Sequence, residues 1–280
     1  MRFMASCLFG LEKPVCDDIA ALGYGKTEVM DGHVLFDAPE SAIAECNVNF
    51  RYAERLFIVL GSFRAASFTE LFDGTASLPW EKYITKNAAF PVKGHCVRSK
   101  LFSVPDCQRI IKKAVVERLK SKYRVSYFEE TAEKYQVVFF ILKDTAYLML
   151  DTTGDALHKR GYRPESNLAP LRETLAAALV TFSRPRSDVI FVDPMCGSGT
   201  IAIEAALIDR HIAPGINRGF AAEEFTFLDR RIFDDAREKA RSLIAPAQRR
   251  IFGSDIDPAC VSLSETNARR AGVDGDIVFT

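Results

Sequence analysis

The sequence predicts a protein of two fold classes in series, an α+β part followed by an α/β part. Residues 3–60 follow the order strand, helix, strand, strand, helix, strand, and a further α+β pattern continues to about residue 150. Beyond residue 171, strands alternate with helices, which predicts a parallel, doubly wound sheet. A glycine-containing loop, Asp193-Pro-Met-Cys-Gly-Ser-Gly-Thr200, follows the first of these strands. This loop makes the α/β part the first place to look for a ligand site.

Length and composition are those of a globular protein of two or three domains. The 280 residues are 48% hydrophobic and 26% charged, with 37 basic and 37 acidic side chains. There is no long apolar run and no secretory signal pattern, so we expect a cytoplasmic protein without a membrane partner. The seven cysteines include no C-x-x-C pair, which disfavours a disulfide framework and a bound metal. The oligomeric state is left open.

Charge is unevenly distributed along the chain. Residues 1–78 carry 6 basic and 11 acidic side chains, whereas residues 79–124 carry 12 basic and 3 acidic ones. A basic segment within a neutral protein is typical of a nucleic-acid surface, because phosphate neutralisation releases counterions. A solvated helix face is the structural alternative. Charge alone does not separate RNA from DNA or from an acidic protein.

The first predicted domain covers residues 1–60. Its β-α-β-β-α-β order is the split unit of a ferredoxin-like fold. Asp31-Gly32 lies between two short strands and is a strong hairpin signal. The domain shows no residues with evident chemistry, and its acidic balance disfavours nucleic-acid binding. We interpret it as a spacer or docking element.

The second predicted domain covers residues 61–156. A strand over residues 90–99 is followed by an amphipathic helix over residues 105–122 and by a final hairpin. Apolar side chains at helical spacing, among them Ile111 and Val115, form the buried face of the helix. We expect the basic side chains on its other faces to be free to contact phosphate.

Two segments of this domain, Phe90-Pro-Val-Lys-Gly-His95 and Ser103-Val-Pro-Asp-Cys-Gln-Arg-Ile-Ile-Lys-Lys-Ala114, resemble a THUMP domain of RNA-modifying enzymes. The resemblance implies RNA as the partner, which the charge pattern leaves open. The RNA-binding residues that we predict are Lys93, Arg98, Lys100, Arg109, Lys112, Lys113 and Lys120.

The glycine loop has the pattern of a strand, a tight turn and a helix. Val189-Ile-Phe-Val192 is a continuous apolar run, which predicts a strand buried on both faces. Asp193-Pro194 ends it, because proline cannot continue a central ladder. Gly197 and Gly199 then permit a tight turn and a close approach of the backbone to a ligand. In an open parallel sheet ligands bind beyond the carboxyl ends of the strands, so the loop should face the ligand pocket.

A second acidic position, Asp255, follows the next strand. A carboxylate at that place can accept hydrogen bonds from both ribose hydroxyls of an adenosine. The separation of Gly199 from Asp255 is far longer than the roughly 20 residues of a dinucleotide fingerprint, and the third glycine of G-x-G-x-x-G is absent. The pattern therefore disfavours NAD.

The stretch Asp193–Thr200 (DPMCGSGT), followed by Ile201–Ala206 (IAIEAA), resembles the first motif of class I methyltransferases that act on an amino group of a base. Ala213–Phe220 (APGINRGF) strengthens the resemblance to THUMP-containing rRNA guanine-N2 methyltransferases and their N6-adenine-specific methylase-like relatives. The resemblance implies a partial Rossmann-like class I methyltransferase domain over residues 157–280. It also implies S-adenosylmethionine as cofactor and guanine N2 of 23S rRNA as target.

By the same resemblance, the glycine loop surrounds the methionine end of the cofactor, Asp255 holds the ribose and Ile256 packs on the adenine. A segment around Leu171 is implied to lie over the cofactor. The full implied set is Pro170, Leu171, Glu173, Thr174, Asp193, Pro194, Cys196, Gly197, Ser198, Gly199, Thr200, Asp255 and Ile256.

Several residues in and around the predicted site also have plain structural interpretations. Pro170 and Thr174 could simply start a helix, and Asp257 is expected to be only an N-cap. Cys196 as a nucleophile is disfavoured, since no histidine lies nearby in sequence. At the domain boundary, three residues either touch RNA or pin two domains together, and we favour the second role. They are Arg160, Tyr162 and Arg163.

Methylation of a base amino group requires residues that hold the flipped base. The Asn-Pro-Pro-Tyr element that does so in the family does not occur in the sequence. We therefore expect a C-terminally truncated chain or fragment, with unassigned catalytic residues after Thr280. Two alternatives remain at this point, an RNA-binding module without turnover and an adenine-N6 methyltransferase acting on DNA or RNA.

Overall fold

The computed structural model describes residues 1–163, 171–184, 186 and 189–280. The chain divides into two compact units, each assembled from separate parts of the sequence. Unit 1 comprises residues 1–4, 56–154 and 220–230, and unit 2 comprises residues 5–55, 155–219 and 231–280.

The strands form two sheets among the described residues. One has the order β2-β3-β1-β4-β7-β6-β5 and the other the order β10-β9-β8. The strands are β1 Arg2–Cys7, β2 Thr27–Met30, β3 His33–Asp37, β4 Ala53–Arg64, β5 Val92–Val97, β6 Val137–Leu142, β7 Thr145–Asp151, β8 Phe191–Asp193, β9 Ile251–Gly253 and β10 Ile277–Phe279.

The α-helices agree with the predicted order except for one addition. They are α1 Glu12–Ala21, α2 Ala42–Asn49, α3 Phe68–Ser77, α4 Val104–Tyr123, α5 Glu173–Phe182, α6 Thr200–Asp209, α7 Arg231–Ser242 and α8 Pro258–Ala271. None of the described helices combines the length and apolar character needed to span a membrane.

Helix α3 is the element that was not predicted from the sequence. The Ser67 hydroxyl caps it by accepting the backbone N–H of Glu70 at 3.2 Å. The Glu70 carboxylate in turn accepts the N–H of Ala66 at 2.6 Å. Ser-x-x-Glu is a recognised helix-start pattern, so the signal was present in the sequence.

Unit 1 is built on strands β4 to β7. Strand β5 pairs in parallel with β6, which pairs antiparallel with β7. The β6–β7 turn uses Lys143 and Asp144, both with positive φ (48° and 62°), as a two-residue hairpin turn of the primed type requires. Helix α4 packs against β5 and against α3. The largest buried side chain is Trp80, whose indole N–H donates to the Thr75 carbonyl at 2.7 Å.

Residues 220–230, which lie between α6 and α7, complete the core of unit 1. The ring of Phe225 stacks on that of Tyr135 with centroids 4.7 Å apart. The hydroxyls of Tyr135 and Thr226 lie 3.0 Å apart. Phe227 meets Tyr83 edge-on at 5.2 Å. Residues 220–230 are therefore part of the fold of unit 1.

Unit 2 contains the predicted parallel sheet. Strands β8 and β10 each pair in parallel with β9. Asp193 and Phe279 are both in register with Gly253, so the carboxyl ends of the strands meet at one edge. Helices α5 and α8 pack against α6, which follows the glycine loop.

The prediction that Val189–Val192 is buried on both faces is wrong. The strand begins at Phe191, and Ile190 and Val192 are 53% and 57% exposed. Among the strands that the structure describes, β8 lies at the edge of its sheet, and the side chain of Val192 meets solvent. A continuous apolar run in the sequence therefore does not distinguish a strand with one exposed face from a central strand that is buried on both faces.

Candidate ligand site at the carboxyl edge of the parallel sheet

The glycine loop needs glycine at its end. Gly199 has φ +77°, in the left-handed region, and directly precedes α6. A Cβ at this position would lie 2.7 Å from Ser264 Cβ and 3.3 Å from Phe279 Cζ. Both the left-handed backbone and the packing against α8 therefore exclude a side chain at position 199. Because Gly199 has none, the loop backbone can approach neighbouring groups closely.

Backbone hydrogen bonds tie the glycine loop to the segment after β9. The N–H of Ser254 donates to the Asp193 carbonyl, and the N–H of Cys196 donates to the Ser254 carbonyl, both at 2.9 Å. The N–H of Gly197 donates to Asp255 Oδ2 at 2.9 Å. The structure thus brings together the two predicted halves of the site, which lie 58 residues apart in sequence at Gly197 and Asp255.

The two carboxylates of this edge differ in their electrostatic state. Hydrogen bonds from the backbone N–H groups of Asp257 and Gly197 lower the pKa of Asp255 below its ordinary value. Burial, with a further contribution from the charge of Asp255, raises the pKa of Asp193. The pKa of Asp255 is therefore shifted towards the ionised form and that of Asp193 away from it. Each carboxylate oxygen of Asp255 accepts one N–H, which leaves lone pairs for further donors.

An apolar surface lies next to this acceptor. The side chain of Ile256 is fully exposed, and Met195 in the glycine loop is 84% exposed. An exposed aliphatic side chain directly after an ionised carboxylate suits a ligand that has hydroxyls at one end and a flat ring at the other.

Cys196 is buried in the glycine loop, and burial raises the pKa of its thiol to about 11. The thiolate is the reactive form of cysteine, so this side chain is unreactive at neutral pH. The geometry agrees with the sequence argument against a nucleophile. What Cys196 contributes to the loop is a small buried side chain and its backbone N–H.

Arg163 has a role in the site that was not predicted from the sequence. One guanidinium nitrogen, Nη1, lies 2.6 Å from Thr200 Oγ1 and 2.9 Å from the Leu171 carbonyl. Nη2 forms an ion pair with Glu173 at 3.1 Å. Thr200 Oγ1 is itself 3.1 Å from Ser198 Oγ. Arg163 therefore links the segment at the start of α5 to the glycine loop.

The remaining predicted residues near α5 have partners within the protein. Thr174 Oγ1 donates to Glu54 Oε1 at 2.6 Å, and both Thr174 and Glu173 are buried. Helix α5 begins at Glu173, with Arg172 as its N-cap. Pro170 lies outside the described residues. The contacts of this segment with a cofactor stay a prediction.

Arg160 and Tyr162 belong to a buried polar cluster around Glu204. Arg160 Nε lies 3.4 Å from Glu204 Oε1, and the Tyr162 hydroxyl donates to the same oxygen at 3.1 Å. Arg51 Nη1 is 3.7 Å from the other oxygen. Because Arg160 and Tyr162 are no more than 5% exposed, they pin segments of unit 2 together and are not an RNA surface.

Helix α8 holds the glycine loop from behind. Asn267 is fully buried, and its Nδ2 donates to the Ser198 carbonyl at 3.0 Å. A polar residue on the buried face of a helix was the available sequence signal for this role. The expected N-cap is confirmed, since Asp257 Oδ1 accepts the N–H of Ala259 at 2.9 Å.

The expectation that the basic residues of α4 are free to contact phosphate is wrong for several of them, among them Lys112, Arg109 and Arg118. Lys112 Nζ lies 2.6 Å from Glu130 Oε1 and 3.5 Å from the centre of the Phe90 ring. Arg109 is paired with Asp106 at 2.9 Å. Glu130, which nothing in the sequence pattern marks as a partner, pairs with Lys112. Asp106 lies three residues before Arg109 on the same helix, a spacing that favours an ion pair.

Among the described residues, no group of three His, Cys, Asp or Glu side chains is arranged to hold a metal ion.

Comparison with known families matches nearly the whole chain. An RlmL ferredoxin-like domain model matches residues 2–57, a THUMP domain model residues 65–151, and an RMKL-like methyltransferase domain model residues 160–280. The class defined by these domains and by the glycine-loop site is that of the methyltransferases carrying a THUMP domain.

Individual relatives narrow the class. YpsC of Bacillus subtilis (strain 168), named as an RNA methyltransferase, is 44% identical over 98% of this chain and 72% of its own. Ribosomal RNA large subunit methyltransferase K/L of Aliivibrio fischeri (strain ATCC 700601 / ES114) is 32% identical over 99% of this chain and 40% of its own. The crystal structure of SMU.472 complexed with SAH superposes with a TM-score of 0.93 at 39% identity, covering 100% of this chain and 74% of that one.

The chain belongs to the family of THUMP-containing, S-adenosylmethionine-dependent RNA methyltransferases. The predicted ferredoxin-like and THUMP units and the methyltransferase fold are confirmed.

Proposed function

We propose that this chain binds S-adenosylmethionine at the carboxyl edge of its parallel sheet and serves the guanine-N2 methylation of 23S rRNA. The hydrogen bond of 2.9 Å from Gly197 N–H to Asp255 Oδ2 carries the proposal. It fixes a glycine turn and an ionised ribose acceptor side by side, which is the arrangement that an adenosine-containing amino acid requires.

The residues present fit this cofactor. The N-terminus of α6 and the loop of Gly197, Ser198 and Gly199 suit a carboxylate, because helix N-termini attract negative charge. Asp255 has lone pairs left for ribose hydroxyls, and Ile256 offers an apolar face to the adenine. Asp193, Pro194, Cys196 and Thr200 complete the loop. Leu171, Glu173 and Thr174, together with Pro170, are proposed to cover the cofactor.

When bound, S-adenosylmethionine supplies an activated methyl group. The residues of this chain bind and orient it. Arg163 and Asn267 hold the loop from two sides, and Asp255 fixes the ribose end. We assign no group to the removal of the proton from the amine.

The choice of substrate rests on family relationships. The K/L relative is named as a methyltransferase of large-subunit ribosomal RNA. A THUMP domain and the basic segment of residues 79–124 accompany the methyltransferase fold in this chain. Structured rRNA is therefore the substrate class that we favour.

Calorimetric titration of S-adenosylmethionine and S-adenosylhomocysteine into the 280-residue protein tests the cofactor site. We expect binding that Asp255→Ala weakens by about tenfold or more, since a charged hydrogen-bond acceptor is lost. Asp274→Ala, an exposed acidic residue elsewhere in unit 2, is the matched control. Lack of binding by the unaltered protein would overturn the proposal.

Transfer of a labelled methyl group by the full-length gene product to fragments of 23S rRNA, with duplex DNA in parallel, tests the reaction. Digestion of the product should yield N2-methylguanosine. RNA binding with no transfer would favour a binding module, and equal transfer to DNA adenine would replace the guanine assignment.

A further inference from the structure

An exposed aromatic side chain lies beside basic residues at one end of unit 1. Phe102, between β5 and α4, is 82% exposed. Arg98 and Lys100 precede it in the same loop, and Lys143 lies in the β6–β7 turn; all three are exposed. We call Arg98, Lys100, Phe102 and Lys143 the basic tip.

Hydrogen bonds join the two loops of the basic tip into one body. The N–H of Lys100 donates to Asp144 Oδ1 at 2.7 Å, and the N–H of Asp144 donates to Ser99 Oγ at 3.1 Å. The N–H of Lys143 donates to the Val97 carbonyl at 3.2 Å. Arg98 and Lys143 both have φ +48°, a conformation that non-glycine residues keep only where the surroundings impose it.

The charges of the basic tip are available, in contrast to those of α4. Within the described part of the chain, the side chains of Arg98, Lys100 and Lys143 form no ion pair, whereas Lys112 and Arg118 are held by Glu130 and Glu81. Phe102 likewise makes no ring contact with a described residue. Three cations and one uncovered ring are thus presented together.

This combination points to one kind of partner. Cations that form no ion pair attract phosphate, and an exposed ring stacks on a base. The nearby Asp144 carboxylate accepts the backbone N–H of Lys100. The base faces of a double helix are hidden by their own stacking, so a single side chain reaches one only at an unpaired position. An acidic protein would satisfy the cations and leave the ring without a specific role.

We propose that the basic tip binds an unpaired nucleotide of the RNA substrate, with its base stacked on Phe102 and the flanking phosphates contacted by Arg98, Lys100 and Lys143. The proposal rests on the proposed function, since it presumes an RNA substrate. It adds that the substrate has a loop, bulge or single-stranded end at the place that the tip reaches.

Fluorescence anisotropy with two labelled rRNA-derived RNAs tests the proposal, one an unpaired-loop hairpin and the other its fully paired duplex. We expect Phe102→Ala to weaken binding of the hairpin by about 5- to 100-fold, the usual range for loss of one stacked base. Binding of the duplex should change little, and Phe102→Trp should retain the preference. Phe9→Ala is the matched control, because Phe9 is 81% exposed in the acidic N-terminal segment.

A triple variant with Arg98, Lys100 and Lys143 each changed to Gln should weaken the binding of both RNAs. The slope of the logarithm of the binding constant against the logarithm of the salt concentration should decrease in magnitude by about three. Equal effects of Phe102→Ala and Phe9→Ala on the hairpin would overturn the stacking proposal while leaving the proposed function intact. No RNA binding by the unaltered protein would overturn both. Calorimetry with S-adenosylmethionine on each variant reports separately on the cofactor site.

Discussion

Arg163 Nη1 lies 2.6 Å from Thr200 Oγ1, and this contact joins the chain that enters the methyltransferase segment to the first residue of α6. The arginine side chain is 6% exposed and also contacts the Leu171 carbonyl and the Glu173 carboxylate. Its planar guanidinium meets these groups in a fixed fork, which lysine cannot reproduce. The position of the glycine loop therefore depends on a residue outside the loop.

Arg163→Lys is expected to weaken binding of S-adenosylmethionine by about 5- to 100-fold, because at least one charge-assisted hydrogen bond is lost. Calorimetry measures this, with thermal unfolding of the same sample as a second readout. Arg241→Lys, at an exposed arginine in the last turn of α7, is the control. An unchanged dissociation constant together with a lowered melting temperature would mean that Arg163 stabilises the fold and does not position the loop.

Gly199→Ala is expected to abolish cofactor binding and to destabilise the fold by about 1–3 kcal/mol or more, since a left-handed residue acquires a Cβ that collides with its neighbours. Gly272→Ala is the matched control, because Gly272 has φ +72° and a Cβ added there would meet open space. Gly272→Ala carries the same cost of a left-handed backbone, but its Cβ collides with no neighbouring atom. Chemical denaturation and calorimetry of both variants distinguish the two contributions, and equal losses would show that packing against Ser264 is unimportant.

Glu204→Gln is expected to destabilise the protein by about 3–5 kcal/mol, because removal of one partner leaves buried charge uncompensated. The carboxylate is fully buried between Arg160 and Arg51. Urea unfolding gives the free energy, and Glu265→Gln on the exposed face of α8 should change it little. A decrease in the free energy of unfolding of less than about 1 kcal/mol would show that Arg160 and Arg51 tolerate a neutral side chain at position 204.

The stability of the protein should carry a pH dependence from Asp18. Burial raises the pKa of this carboxyl to about 6, against the hydrogen bonds that it accepts from the N–H groups of Arg51 and Tyr52. The folded state thus binds the proton more tightly than the unfolded state does. The associated stabilisation is complete below the unfolded pKa of about 4 and is lost as the pH rises through about 6.

Comparison with Asp18→Asn isolates this effect. The unfolding free energy of the unaltered protein, relative to that of the variant, should fall by about 2 kcal/mol between pH 4 and pH 7, since one pKa unit corresponds to about 1.4 kcal/mol. Denaturation at several pH values measures the difference. A difference that is flat or that rises with pH would contradict the assignment.

Sequence reasoning predicted the candidate site from positions where local pattern and ligand chemistry coincide. Asp193 ends β8, Asp255 follows β9 and Gly199 precedes α6, and the rule that ligands bind beyond the carboxyl ends of parallel strands predicted them together. Sequence reasoning named Arg163 only as a residue that pins two domains together, and it missed Asn267. The contacts of both residues with the glycine loop join distant segments of the chain. Sequence reasoning overestimated the free charge on α4, since nothing local marks Glu130 as the partner of Lys112.

The helix and strand order followed from periodicity, but solvent exposure of β8 did not. An apolar run such as Val189–Val192 predicts the strand conformation. It does not predict which elements will pack against the two faces of the strand. The basic tip shows the opposite case. Phe102 is an unremarkable apolar residue in the sequence, and only its 82% exposure next to Lys100 makes it a candidate for base stacking.

The packing of Phe225 and Thr226 on Tyr135 has a consequence for protein synthesis. Tyr135 leaves the ribosome well before Phe225 and Thr226. The Tyr135 side chain therefore lacks these packing partners until residues 220–230 have emerged. An expression fragment ending near residue 156 would keep that surface exposed permanently. A chaperone-dependent, aggregation-prone fragment is therefore expected, and inclusion of residues 220–230, by fusion or as a separate peptide, should restore its solubility.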